Sequence, residues 1–267
     1  WKTNSGRELK AGEYRFDQPL SVSKVVSKIA RGDVYLRPLM FPEGLTVPAM
    51  ASIFGRSDFG TAEAFLTASR RVELIASLDP EASDLEGYLF PDTYLLPRTI
   101  TADQVIERMV ARFKQAFGEP LLQQAAKANL SVREIVTMAS LIERETALAE
   151  ERPVVGAVYR NRLKIGIALQ CDPTVIYALE RAGLYEGNLT RDNLTYDSPY
   201  NTYLYSGLPP GPIAAPGLAS LEAAVRPADV GYLYFVSRND GSHVFASSLR
   251  EHNRNVREYQ IQFFREQ

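Results

Sequence analysis

The sequence predicts an α+β protein: a small N-terminal α/β unit (1–37), a strand–helix–helix–strand unit (38–98), and a mainly helical domain carrying one β-hairpin (99–267). Three observations point to this class. Helix-spaced apolar residues recur in several segments with clear start and stop residues. Short extended runs bound the 38–98 segment. Asn239-Asp240-Gly241 separates two β-rich runs, Tyr232–Val236 and His243–Ala246, as a hairpin turn does.

In chain order, Leu9–Phe16 reads as a strand with Gly12 as a turn residue, and Ser21–Ala30 reads as a helix (Val22, Val25, Val26, Ile29) stopped by Gly32. Pro38–Phe41 is short and extended. Thr46 is the N-cap of a helix with Met50, Ile53 and Phe54 on one side, and a second helix fits Thr61–Ser69. Tyr88–Phe90 and Tyr94–Leu96 read as a closing strand pair broken by Pro91-Asp92. Thr101–Phe117 and Ser131–Ala149 are helical. Pro153 begins a further helix that stops at Gly166, and Asp172-Pro173 is an N-cap followed by proline at the first helical position of a helix that stops at Gly183. Residues 185–217, rich in Tyr, Asn, Pro and Gly, form a long irregular connection, a length that in a compact domain points to function. A last amphipathic helix starts near Leu249.

Composition narrows the chemistry. The 267 residues are 45% apolar, enough for a substantial core, and the net charge of -2 offers no basic field for nucleic acid. Cys171 is alone, so no intramolecular disulfide or cysteine metal cluster can form. With only His243 and His252, a multi-histidine metal site is nearly excluded, and structural hydrogen bonding is the expected role of both. No phosphate-cradling glycine motif is present. No apolar run approaches the ~20 residues of a membrane span. Carboxylates are the abundant catalytic resource.

One helix concentrates the chemistry. Ser131 and Glu134 form a capping-box pattern at its start. Ile135, Met138, Ala139, Leu141, Ile142, Leu148 and Ala149 define a broad apolar face, and Glu145 falls inside it, roughly 40° from its centre at about 100° per residue. Glu143 lies well off that face. A carboxylate on an apolar stripe is costly when ionised, so burial raises its pKa, the property a glycoside-cleaving acid needs. The helix alone leaves alternatives: Glu145 pairs with an arginine in a helical core, or edges out to solvent.

The surrounding blocks are more specific. Met138–Thr146 resembles the active-site helix of the YceG-like (MltG) endolytic murein transglycosylases. In the same order, Leu85–Tyr94, Val158–Leu163, Leu169–Tyr177, Tyr200–Tyr203, Gly207–Gly211, Ala215–Gly217, Tyr232–Val236, His243–Phe245 and Glu251–Asn253 are similar to blocks of that family, so the resemblance covers about residues 9–260. The strand–helix–helix–strand order of 38–98 and its Pro-Glu-Gly-Leu-Thr turn at 42–46 resemble a LysM domain, and the family resemblance implies a lysozyme-like catalytic domain for 99–267. It also selects Glu145 as the general acid/base, because the lysozyme-like lytic enzymes place that acid directly before a small hydroxyl residue, here Thr146. Glu143, Gln170, Asp172, Tyr200, Asn201, Thr202 and Tyr203 are the candidate substrate-binding residues, with Asp172 a helix cap first. For the tyrosines, ordinary loop packing is the alternative. Cys171 stands where Thr or Ser is expected and reads as a packing residue.

The reaction implied is cleavage of the MurNAc–GlcNAc bond within peptidoglycan strands, leaving 1,6-anhydroMurNAc ends and ending strand elongation. No cofactor is implied. The implied partners are glycan strands and peptidoglycan synthases. The implied location is the inner membrane, through a single N-terminal anchor outside this sequence, with the catalytic domain in the periplasm or outside the membrane. Two alternatives stay open: a hydrolytic muramidase, which needs a second carboxylate, and a non-catalytic LysM-type peptidoglycan-binding protein.

Overall fold

A computed structural model describes residues 9–263, so the first eight residues of the N-terminal unit and the last four of the chain lie outside the described residues. The chain is mixed α+β and mostly helical, with small two-stranded sheets. Helix α1 (Val22–Arg31) ends on Gly32 in the left-handed conformation, as the glycine suggests. Leu9–Phe16 is not a strand. It makes only isolated backbone bonds, Lys10 N–H to the Ile29 carbonyl of α1 and Tyr35 N–H, just before β1, to the Glu13 carbonyl, and these do not extend into a ladder.

Strand β1 (Leu36–Met40), helices α2 (Val47–Gly55) and α3 (Ala62–Ala68), and strand β2 (Thr93–Pro97) follow in order. β1 and β2 pair antiparallel, Leu36 opposite Pro97 and Met40 opposite Thr93, so β1 straddles the boundary expected at residue 37/38. Thr46 and Thr61 cap their helices through their side chains. Tyr88–Phe90 is not a strand; Tyr88 and Leu89 are fully buried in a turn, and β2 finds its partner in β1 instead.

Helix α4 (Ala102–Lys127) carries a capping box at Thr101 and Gln104. Gly118 (φ 40°) breaks it just after Phe117, and the chain turns before Pro120 resumes the helix. Helix α5 (Val132–Glu145) is the central element, with Ile135, Val136, Ala139, Leu141 and Ile142 fully buried. Its capping box is formed as the sequence suggests. Helix α6 (Arg152–Lys164) and helix α8 (Leu218–Val225) cross so closely that a Cβ on Gly156 would lie 2.9 Å from the Ala223 carbonyl oxygen. Helix α7 (Asp172–Ala182), hairpin β3 (Tyr234–Ser237) with β4 (His243–Ala246), and helix α9 (Leu249–Val256) complete the fold.

One hydrophobic core runs through both halves. Phe41, Met50, Phe54 and Phe65 of the βααβ unit join Tyr88, Phe113 and Phe117, and these join the α5 face and Leu221 of α8. Burying each such side chain contributes about 1.5–3 kcal/mol. Asp79 adds a polar tie, accepting from the Tyr88 hydroxyl (2.5 Å) and from Arg133 at the start of α5. The βααβ unit is thereby fixed to the helix that ends at Glu145.

Candidate active site

Helix α5 stops earlier than its sequence suggests. Residues 146–149 are not helical, although Ala147, Leu148 and Ala149 are good helix formers. The stop is made by side chains. Thr146 is extended (φ -134°, ψ 134°), its Oγ1 donates to Glu151 Oε2 (3.1 Å), and the same oxygen accepts from Leu148 N–H (3.1 Å). Glu145 is therefore the last helical residue, and Leu148 and Ala149 do not extend its apolar face.

Glu145 lines a pocket of about 310 Å³ with Arg162, Gln170, Asp172, Tyr203, Phe235, His243 and His252 among the other walls. Its Oε2 accepts from the Tyr159 hydroxyl (3.0 Å) and from the Cys171 thiol (3.5 Å). Burial raises the Glu145 pKa, and those two hydrogen bonds only partly offset it. The negative end of the α5 dipole acts in the same direction as burial. Tyr159 and Cys171 are buried, with pKa values raised by burial, so both remain protonated donors. With Oε2 taken by two donors, Oε1, which has no hydrogen-bond partner among the described residues, is the oxygen left to carry a transferable proton.

Of the residues singled out in the sequence, Glu145, Gln170, Asp172 and Tyr203 meet in this pocket. Gln170 holds a left-handed backbone (φ 51°), rare for glutamine, and its N–H donates to the Thr202 carbonyl. Asp172 is the first residue of α7, not its cap; Cys171 takes that position, and the Asp172 carboxylate accepts from the Tyr203 hydroxyl. Thr202 is buried behind the pocket, accepting from Cys171 N–H (3.0 Å) and sharing a hydroxyl contact with Thr174 (2.9 Å). Cys171 does more than pack, since its thiol reaches the acid.

Glu143, Asn201 and Tyr200 are elsewhere. Glu143 is buried against Arg152 (3.0 Å) and accepts from Gly217 N–H (2.9 Å) at the start of α8. Asn201 is fully buried: its amide donates to the Leu194 and Tyr196 carbonyls, and its Oδ1 accepts from Tyr203 N–H (2.9 Å). Tyr200 packs on Tyr177 (5.0 Å between centroids) under the Arg181 guanidinium. Asn201→Ala thus removes three buried bonds, about 2–4 kcal/mol. The melting temperature should fall by roughly 5–10 °C, with activity lost in step, as thermal unfolding and glycan cleavage measured together will read.

Four neighbours of Glu145 were not among the residues singled out for the site. Tyr159 sits on an apolar helix face and reads as core, yet its hydroxyl holds Glu145. Arg162 is committed to the Leu233, Ala168 and Leu169 carbonyls, fixing the hairpin to the pocket rim. His243 pairs with Glu151 and His252 stacks on Tyr234, and both line the pocket. No cluster able to hold a metal ion exists among the described residues. A larger cavity, about 480 Å³, lies between α2, α3 and α7, bordered by Glu86. Burial pushes the Glu86 carboxyl up to about 8, but it accepts from Val47 N–H at the start of α2, so it serves that helix terminus.

The family model of the YceG-like family matches residues 1–258. The chain belongs to the YceG-like family. An endolytic murein transglycosylase of Bacillus subtilis (strain 168) is 32% identical over 275 residues, covering 94% of this chain and 73% of that protein. The enzyme of the same name from Streptococcus pneumoniae (strain D39) is 32% identical over 282 residues, and the chain spans 51% of its length. A solved YceG-like protein from Listeria monocytogenes shares the fold, with a TM-score of 0.73 and 33% identity over 92% of this chain and 84% of that one. These relatives are lytic transglycosylases by name, and this YceG-like chain is an enzyme of their family. Its Glu145 pocket is assembled almost wholly from the resembling blocks.

Proposed function

We propose that this chain is an endolytic peptidoglycan lytic transglycosylase that cleaves the MurNAc–GlcNAc bond and leaves 1,6-anhydroMurNAc ends. The observation that carries the reading is Glu145: a carboxyl with raised proton affinity, fixed through Oε2 and free at Oε1, in an open pocket. Its relatives bear the name of this activity over 94% of the chain. Glu145 gives its proton to the glycosidic oxygen as the bond to C1 breaks. The C6 hydroxyl of the same sugar closes onto C1, without the entropy loss of capturing a separate nucleophile. In this reading Gln170, Asp172 and Tyr203 contact the sugar, and Asn201, Thr202 and Glu143 hold the framework, a division that their positions in the pocket and outside it support.

The proposed setting is a membrane-anchored protein facing the periplasm or cell exterior, working beside peptidoglycan synthases to end new strands. Among the described residues no helix is long and apolar enough to cross a membrane. Hydrolysis by water is a second reading with one observation in its favour: Asp172 brings a second carboxylate to the pocket. Incubation with purified sacculi tests the enzymatic reading. Soluble muropeptide fragments are expected. Sedimentation of the protein with sacculi that release nothing would mark a binding protein instead.

A further inference from the structure

Glu151, at the entrance to α6, holds His243 at two points: its Oε1 accepts the His243 backbone N–H (2.8 Å) and its Oε2 meets His243 Nδ1 (2.6 Å). Thr146, next to Glu145, donates to the same Oε2. Burial works to raise the Glu151 pKa, but the bonds from His243 and Thr146 outweigh it and hold the carboxyl below its ordinary range. An ionised carboxylate has no proton to give, so the proton in the 2.6 Å contact belongs to Nδ1. With Nδ1 turned to Glu151, Nε2 is the ring nitrogen left for another partner. Nε2 has no hydrogen-bond partner among the described residues, and Phe235, edge-on at 5.3 Å, fixes the ring plane. His243 lines the same pocket as Glu145.

We propose that His243, oriented by Glu151, is a second catalytic residue: the base that takes the proton of the attacking hydroxyl. The inference rests on the transglycosylase reading above. One wall of the pocket then holds a group kept protonated and another a group presenting a lone pair, the pattern that divides acid and base roles. The Glu145 proton passes to the glycosidic oxygen, which leaves with the bonding pair as the 4-hydroxyl of GlcNAc. The C6 oxygen bonds to C1 while its proton moves to Nε2, and the imidazolium forms against the Glu151 carboxylate. The proton then returns to Glu145, so both groups are regenerated and no water is consumed. The charged and titratable groups around His243 are Glu145 from α5, Glu151, Arg162 from α6, Asp172 from α7, Tyr203 from the long loop and His252 from α9. Burial and Arg162 push the His252 pKa down, so it adds no charge.

The test uses His243→Ala, His243→Gln and Glu151→Gln with isolated glycan strands. Losses in kcat of ~10²-fold or more are expected for both His243 variants, with KM little changed and a smaller loss for Glu151→Gln. Added imidazole should restore His243→Ala and leave Glu145→Gln inactive, a recovery that a purely structural histidine would not show. His243→Gln keeps an amide to meet Glu151 and so preserves the clamp. If it cleaves within threefold of the wild type, or if imidazole restores nothing to a folded His243→Ala, His243 is not the base. A wild type that cleaves no glycan strikes the parent reading as well, whereas an active wild type with unaffected His243 variants strikes this inference alone.

Discussion

Glu145→Gln is expected to abolish glycan cleavage while leaving the fold intact or more stable. The amide keeps the shape of the side chain and can still accept from Tyr159 and Cys171, but it has no proton to transfer, a loss of ~10²–10⁴ in rate or more. The stability side follows from the raised pKa. A carboxyl with higher proton affinity in the folded chain binds more protons there than in the unfolded chain. Folding stability therefore declines as pH rises from the ordinary carboxyl range through the raised value. Gln carries no such penalty, so the variant's melting temperature should equal the wild type's in acid and exceed it at neutral pH. Thermal unfolding across pH, with muropeptide release at one pH, checks both. Near-wild-type release would remove Glu145 from the chemistry. A melting temperature that drops at neutral pH would show that its ionised form supports the fold.

Glu143 should behave in the opposite way. Its side chain is 5% exposed and faces Arg152, itself 11% exposed, while its other oxygen accepts from Gly217 N–H. Glu143→Ala strands a buried guanidinium and the first donor of α8, a change that costs about 3–5 kcal/mol. Glu43, 3.5 Å from Arg152, can take up part of the charge, which favours the low end. The melting temperature is expected to fall by roughly 8–15 °C. Below that transition, kcat should stay within a few-fold of wild type. A large loss of kcat with unchanged unfolding would instead return Glu143 to the substrate.

In this reading two glutamates two residues apart divide between chemistry and architecture; helical spacing puts only Glu145 on the apolar face, and the family resemblance selects it. The start signals read at Thr46 and Ser131 hold, and Thr61 and Thr101, the first residues of two further expected helices, cap them as well. The errors have a common cause. Ala147–Ala149 favour helix, Leu9–Phe16 and Tyr88–Phe90 favour strand, and all three give way to pairings, or to the lack of one, that residue propensity does not encode. Thr146 bonds to Glu151, Leu9–Phe16 makes single bonds to α1 and to Tyr35 and no ladder, and β1 claims β2. The site divides likewise. Glu145 shows in the sequence because its helix is periodic. Tyr159, Cys171 and His243 come to it from three other elements, and no local pattern encodes that meeting. Asn201 and Thr202 are polar loop residues that suggest ligand contacts, but their hydrogen bonds are spent within the loop and on the α7 entrance.

Asp172 in the pocket makes the identity of the nucleophile the decisive question. Digestion of purified glycan strands in heavy-oxygen water, followed by mass spectrometry of the new MurNAc ends, answers it directly. Intramolecular attack by the C6 hydroxyl yields anhydro ends, lighter by one water and free of the heavy isotope. That product should account for nearly all new ends. Reducing ends carrying the heavy oxygen as the main product would contradict the transglycosylase reading and make water, set between Glu145 and Asp172, the nucleophile.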